Sequence, residues 1–405
     1  MEYENFNRVI IRRPKLANAY LALLKSQPER PLALFAPRRI GKTVFLTDDV
    51  TPEAKAQGFL PIYCDLWLNS AIPLESINHA LEEAWDDLTV PASNSGKVAQ
   101  TKVKKVSIMG SGIDLGEEPQ RRPLPDIPAF RLDSLLGRLS SQHKGPLLLL
   151  LDEAQSLGAH QKAVEIISSL RAALTKHKGR VFAIFTGSSQ IELSKMFSTA
   201  GAPMYQYAQK LDFPVLGDEF SQALADHFSS VHPTKSIPLE SLRQMFIRMG
   251  YKPAVLREIV VKMSSEGSPD VNRGLDLYLQ DPLHKDSWDS LLEKLDLIDI
   301  LLLIAITRSE KPYSKEVASA LEAALKERPT PSKIRSSIEK LTREKLLSKH
   351  SDGIVINDEA FAEYLLQTEL ATLTRGAISG GCEGFTARQL EHQTERDAQL
   401  RHGRL

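Results

Sequence analysis

The stretch that most limits what this chain can fold into is Ala36-Pro37-Arg38-Arg39-Ile40-Gly41-Lys42-Thr43. An apolar run, Pro31-Leu32-Ala33-Leu34-Phe35, leads into it, and Val44-Phe45-Leu46 follow where a helix should begin. Gly41 lets backbone approach an anion with no side chain in the way. The amides of such a loop and of the helix start point at that anion. Lys42 brings a positive charge for outer phosphates, and the Thr43 hydroxyl suits Mg²⁺. Strand, loop, Gly-Lys-Thr and helix in that order make a P-loop. Nucleotide contacts are therefore expected from Pro37, Arg38, Arg39, Ile40, Gly41, Lys42, Thr43 and Val44. The usual pattern opens with glycine, and here that place is Ala36. Alanine tolerates a positive φ poorly, so an altered loop start or weaker nucleotide binding is expected.

Far downstream, Leu147–Leu151 are consecutive leucines followed by Asp152-Glu153-Ala154-Gln155. A continuous apolar run with polar flanks reads as a strand buried on both faces of a parallel sheet. Acids at the carboxyl end of such a strand sit where open α/β sheets bind ligands. Asp152 is expected to hold Mg²⁺ through water, and Glu153 to orient and deprotonate an attacking water. An ordinary helix-starting Asp-Glu would explain that pair alone, but the pair and the loop together are far more specific. Val181–Phe185 reads as the neighbouring strand, ending in Thr186-Gly187-Ser188-Ser189. Ser188 or Ser189 is expected to reach the γ-phosphate or the water. Equally, a serine there caps the helix at Ile191–Phe197.

At 405 residues the length suggests about two to three domains. Formal net charge is +0, so attraction to nucleic acid or an anionic membrane must come from a local patch. Cys64 and Cys382 are far apart, which excludes a Cys-x-x-Cys site and fits a reducing compartment. The acidic start, Met1-Glu2-Tyr3-Glu4, has no apolar stretch after it, and no run approaches the roughly 20 residues of a membrane span. A cytoplasmic protein with no membrane partner is expected.

Pro14–Lys25 has helical spacing, with Arg12 and Arg13 before it read as a solvated basic pair or as contacts to adenine or phosphate. Phe59–Leu66 is a second strand with Asp65 capping its turn, and Pro73–Leu88 a helix. Residues 91–125 read as an insertion with a hairpin whose lysines protect an exposed edge. Ile127–His143 and Gln161–Lys176 are helices, and Leu211–Leu216 reads as the last core strand. Helices at Asp218–Ser230, Leu239–Met249 and Lys252–Ser264 form a lid, from which Lys252 or Arg257 is placed to face the nucleotide. Then come helices at Leu291–Thr307, Ser314–Lys326 and from Thr330-Pro331, where Ile334, Ile338 and Leu341 share a face. Leu346–Ser348 and Ile354–Ile356 flank Asp352-Gly353 as a hairpin. Three helices and a hairpin make a winged helix-turn-helix. Between Thr330 and His350 six basic residues face two acids, a pattern that suits duplex DNA, with Lys333, Arg335 and Lys340 as candidates. The same unit could instead pack on a protein, since charge carries no base readout. The expected divisions are residues 1–216 (core), 217–289 (lid), 290–366 (winged helix) and 367–405 (polar tail).

These pieces resemble the archaeal-type P-loop ATPase family, which belongs with the AAA+ and STAND ATPases and is distantly related to origin-recognition ATPases. The matching residues are Pro37-Arg38-Arg39-x-Gly41-Lys42-Thr43, Leu151-Asp152-Glu153-x-Gln155, Thr186-Gly187-Ser188-Ser189 and Gly250-x-x-Pro253. The resemblance implies an α/β P-loop NTPase fold with a five-stranded parallel core, a helical lid, a C-terminal winged helix, ATP with Mg²⁺, and use as a switch or remodeller. Relatives tend to carry Gly-Arg near Tyr205-Gln206-Tyr207, where this chain has Tyr207. That implies slow hydrolysis or an arginine supplied by a partner protein or a second copy.

Two functions follow from these residues. One is an ATPase whose nucleotide state sets the winged helix. The other is a nucleotide-held switch or scaffold with little turnover, whose winged helix binds protein. A small-molecule P-loop kinase has no use for the Asp-Glu pair or a winged helix.

Overall fold

A computed structural model describes residue 6 and residues 9–89, 123–159, 162–188, 190–350 and 353–368. The chain divides into two compact units, Ile11–Leu216 and a second made of Met1–Ile10 with Gly217–Leu405.

The first unit is a parallel sheet built from β1 (Leu32–Phe35), β2 (Leu60–Asp65), β3 (Leu147–Asp152), β4 (Val181–Gly187) and β5 (Gln209–Asp212), in the order β2-β3-β4-β1-β5. The leucine run shows why β3 lies inside the sheet, with a strand on either side. Leu147, Leu149 and Leu151 enter a core with Ile62, Leu135, Leu139, Leu170 and Phe185 on one face. Leu148 and Leu150 enter another with Leu21, Leu34, Phe45 and Ile184 on the opposite face. All five are at most 1 % exposed, and each contributes roughly 1.5–3 kcal/mol of burial. The last strand is shorter and earlier than the pattern over Leu211–Leu216 predicts. Pro214 has no N–H to give a ladder, and pairing with β1 stops at Asp212.

After the loop the helix starts at Lys42, passes through a wider π-type stretch at Phe45–Val50 and resumes at Thr51–Ala56. Asp49, 1 % exposed, accepts from Arg12 Nε and from the Arg13 amide, both at 2.8 Å. The Arg13 guanidinium lies over Phe213 (4.3 Å) and Phe45 (5.2 Å) and donates to the Pro214 carbonyl. These arginines tie the segment before the first helix, Pro14–Ser26, to the sheet, and Arg12 stays about half exposed while it pairs with Asp49. Asp65 caps its turn as expected, accepting from the Trp67 amide at 2.8 Å. Of the predicted insertion, only residues 123–125 lie within the described residues.

In the second unit, helices Asp218–Val231, Leu239–Arg248 and Pro253–Glu266 agree with the sequence reading. Two more, Val271–Leu279 and Pro282–Leu292, follow. The predicted helix at Leu291–Thr307 is divided: the chain turns at 293–296, and a new helix, Leu297–Thr307, begins behind a reciprocal Asp296/Asp299 cap. Helices Lys315–Leu325 and Pro331–Arg343 are capped by Ser314 and Thr330. Ile298, Leu302, Val317, Leu321, Ile334 and Ile338 form one core among the three. Strands β6 (Leu347–His350) and β7 (Gly353–Ile356) pair antiparallel beside it, completing a winged helix-turn-helix. The Asp352 half of the expected turn and the polar tail from residue 369 lie outside the described residues.

A final helix, Glu359–Gln367, packs against helices Leu297–Thr307 and Val271–Leu279. Glu359 accepts from Lys252 Nζ, and Glu363 accepts from two nitrogens of the Arg248 guanidinium, Nε and Nη2. Lys252 also donates to the Asn357 carbonyl at 3.0 Å. Arg257 donates to the Val9 carbonyl at 2.9 Å. The charges that the sequence placed toward a nucleotide are thus engaged within this unit.

Candidate nucleotide-binding site

Because every strand of the sheet is parallel, the ends of β1, β4 and β3 line one edge in that order. The loop Ala36–Thr43 leaves β1 there, the acids leave β3, and Thr186–Ser188 end β4 between them. Gly41 has φ 93°, and Arg39 also sits in the left-handed region at φ 65°. Ala36 does not: it is 2 % exposed with an ordinary negative φ, so this loop needs no glycine at its start. The backbone strain that a positive φ would bring at this position is absent.

Lys42 is 6 % exposed. Its ammonium donates to the carbonyls of Ala36 (2.9 Å) and Pro37 (2.6 Å), folding the loop around itself. Burial pulls its pKa down to about 8, against the opposing pull of Glu153 and Asp152. Thr43 Oγ1 donates to Asp152 Oδ2 at 2.6 Å, so residues 109 positions apart meet directly.

Asp152, 2 % exposed, also accepts from Tyr63 OH (3.2 Å), the Glu153 amide (3.0 Å) and Thr186 Oγ1. With its proton committed to Asp152, the Thr43 oxygen still has lone pairs for a metal. The arrangement fits Mg²⁺ bound directly by Thr43 and through water by Asp152. Among the described residues no three His, Cys, Asp or Glu converge on one point. A Mg²⁺ here would complete its shell with phosphate and water oxygens.

Glu153 leaves β3 at φ 55°. Its Oε2 accepts from Ser188 Oγ (2.6 Å), from the Ser188 amide (3.3 Å) and from Gln155 Nε2. Of the serine pair, Ser188 is therefore at the site, and Ser189 lies outside the described residues. Arg38 stacks over Trp67 at 5.3 Å, and Trp67 is half exposed. Tyr207 has Arg171 over its ring at 5.0 Å and Thr175 Oγ1 3.5 Å from its hydroxyl.

Sequence reasoning gave no role to Tyr63, Thr186 or Gln155. Thr186 and Gln155 stand inside quoted motifs, so position relative to the acids was a signal. Tyr63 carried none, since a tyrosine in an apolar strand reads as core. On the winged helix, Lys333 and Arg335 are exposed. Lys340 is turned inward, donating to Asp299 (2.6 Å) and Asp296 (2.9 Å).

No protein-family model matches the chain, and no curated protein matches it in sequence. Solved structures do match. A Walker-type ATPase of Pyrococcus abyssi superposes with a TM-score of 0.55 at 16% identity, over 88% of this chain and 96% of that one. The ORC2 protein of Aeropyrum pernix, solved as ADPNP–ADP complexes, gives 0.52 at 14% identity over 90% and 93%. The chain has the fold of the archaeal-type P-loop ATPases. No helix of this P-loop ATPase fold, among the described residues, is long and apolar enough to cross a membrane.

Proposed function

We propose that the chain binds ATP with Mg²⁺ at the Ala36–Thr43 loop and hydrolyses it, using the nucleotide state to set the position of its winged helix. The observation that carries this reading is the Thr43–Asp152 hydrogen bond, which joins a phosphate-binding loop to the acids of a distant strand. Lys42 would exchange its carbonyl partners for phosphate oxygens, which carry full charge and are stronger acceptors. Mg²⁺ on Thr43 and Asp152 would offset charge on the outer phosphates. Glu153 takes a proton from water as the water oxygen bonds to the γ-phosphorus. The bond to the β–γ bridging oxygen breaks, and ADP leaves with that electron pair. Ser188, already bonded to Glu153, is placed to orient the same water.

The winged helix would meet duplex DNA through Lys333 and Arg335, as a nucleotide-controlled switch or remodeller. One observation favours the second reading, in which it binds protein: Lys340 is spent on Asp299, which leaves the exposed face less basic than its sequence. Turnover of Mg·ATP by the full chain, with and without duplex DNA, tests both. Glu153→Gln should keep ATP binding and lose turnover by about 10²- to 10³-fold. Binding without any turnover in the parent chain would leave the low-turnover switch standing. Absence of binding would reject both.

A further inference from the structure

One buried polar side chain at this site has no part in the reaction just described. Gln155 is 5 % exposed. Its Nε2 donates to Glu153 Oε2 and also lies 3.2 Å from Ser188 Oγ. Ser188 donates its hydroxyl to that same Glu153 oxygen, so the three side chains close a ring. Chemistry fixes which way the amide faces: a carboxylate only accepts, so the nitrogen must point at it. The other end of the amide, Oε1, is buried with no hydrogen-bond partner among the described residues.

Gly187 explains how the side chain fits. A Cβ there would lie 2.4 Å from Gln155 Oε1 and 3.4 Å from its Cδ, so any larger residue would displace the amide. The backbone on either side is pinned: the Ala154 amide donates to the Thr186 carbonyl at 2.8 Å, and the Ser156 amide to the Glu153 carbonyl at 3.0 Å. Glu153 itself holds a left-handed conformation, which a glutamate adopts only when its surroundings hold it there. An unpaired amide oxygen in a buried site is a standing cost. The nitrogen end of the same group offsets it by holding the carboxylate.

We infer that Gln155 is a positioning residue for hydrolysis, fixing the Glu153 carboxylate and tying the end of β3 to the end of β4. The inference rests on the hydrolytic reading of the site. Ser188 has two possible partners, Glu153 and an incoming γ-phosphate or water. Gln155 can donate to Glu153 whichever partner Ser188 takes, so the carboxylate keeps its place while the serine changes over.

Gln155→Leu removes the donor at similar volume. Mg·ATP affinity by calorimetry should stay within about twofold, while kcat falls about ten- to thirtyfold with little change in KM. Gln155→Glu places a carboxylate against Glu153. A shared proton can replace the amide donor at low pH, and the two charges repel at high pH. Turnover relative to the parent should therefore fall as pH rises from about 6 to about 8.5, a change that a purely structural role would not produce. A double-mutant cycle with Glu153→Ala and Gln155→Leu, read by urea unfolding, needs no turnover. It should give a coupling of about three- to tenfold in the unfolding equilibrium constant. A parent that binds Mg·ATP without hydrolysing it would reject the hydrolytic reading, and the positioning role in hydrolysis with it, whatever the cycle gives. In a parent that does turn over, parental kcat and pH profile in both variants, or additive behaviour in the cycle, would overturn the positioning role alone.

Discussion

Lys42 should make nucleotide affinity depend on pH in a range where other P-loop contacts do not titrate. Burial lowers its pKa to about 8 in the free chain. About nine-tenths of molecules then carry the ammonium at pH 7 and about one-tenth at pH 9. Phosphate binds the charged form, so Kd for Mg with a non-hydrolysable ATP analogue should rise about tenfold across that range, or ~1.4 kcal/mol. At pH 8 binding should take up about half a proton, measurable by calorimetry in two buffers of different ionisation enthalpy. Lys42→Arg should flatten the profile, because a guanidinium stays charged throughout. The sign for stability runs the other way. The folded pKa lies below the value of 10.5 for an unburied lysine, so the folded chain holds fewer protons between about pH 8 and 10.5. The contribution of this group to stability therefore rises with pH through that window, relieving a cost on the order of 3 kcal/mol. A flat Kd from pH 7 to 9 with no proton uptake would refute the placement of a buried ammonium in the loop.

Lys340→Ala should destabilise the chain by about 2–4 kcal/mol in denaturant unfolding, because Asp299, 1 % exposed, loses its cation. Lys333→Ala and Arg335→Ala should change stability by less than about 0.5 kcal/mol. If the winged helix reads DNA, each should lower the salt slope of duplex binding by about 1. Thr43→Ala should weaken nucleotide binding about tenfold in Mg²⁺ and hardly at all in EDTA, since the lost group is the metal's; equal loss in both would reject that role. Leu149→Ala, in a fully packed strand, should cost about 2–5 kcal/mol and lower Tm correspondingly.

The loop and the leucine run were legible because each states its environment in a few consecutive residues. A strand buried on both faces can only be apolar, and a phosphate loop needs Gly41 and Lys42 at fixed places. What joins them was not legible. The Tyr63–Asp152 contact depends on strand order, and no pattern within Phe59–Leu66 announces it. The inward turn of Lys340 was invisible for a related reason: a basic residue on a helix counts as surface charge until its acid partner, 41 positions away, is known. The break before Leu297 did have a local sign, Asp296 and Asp299 ahead of an apolar run, outweighed by the length of that run. Helix Val271–Leu279 was hidden by Gly274, a poor helix former that is needed because Ile259 and Met263 come too close for a side chain.

The paired acids of the final helix, Glu359 and Glu363, grip Lys252 and Arg248, which stand at the start of one helix and at the end of the helix before it. A single contact is a pivot, whereas two in line resist twisting as well as parting. The turn between helices Leu239–Arg248 and Pro253–Glu266 is therefore held at both of its ends by one helix.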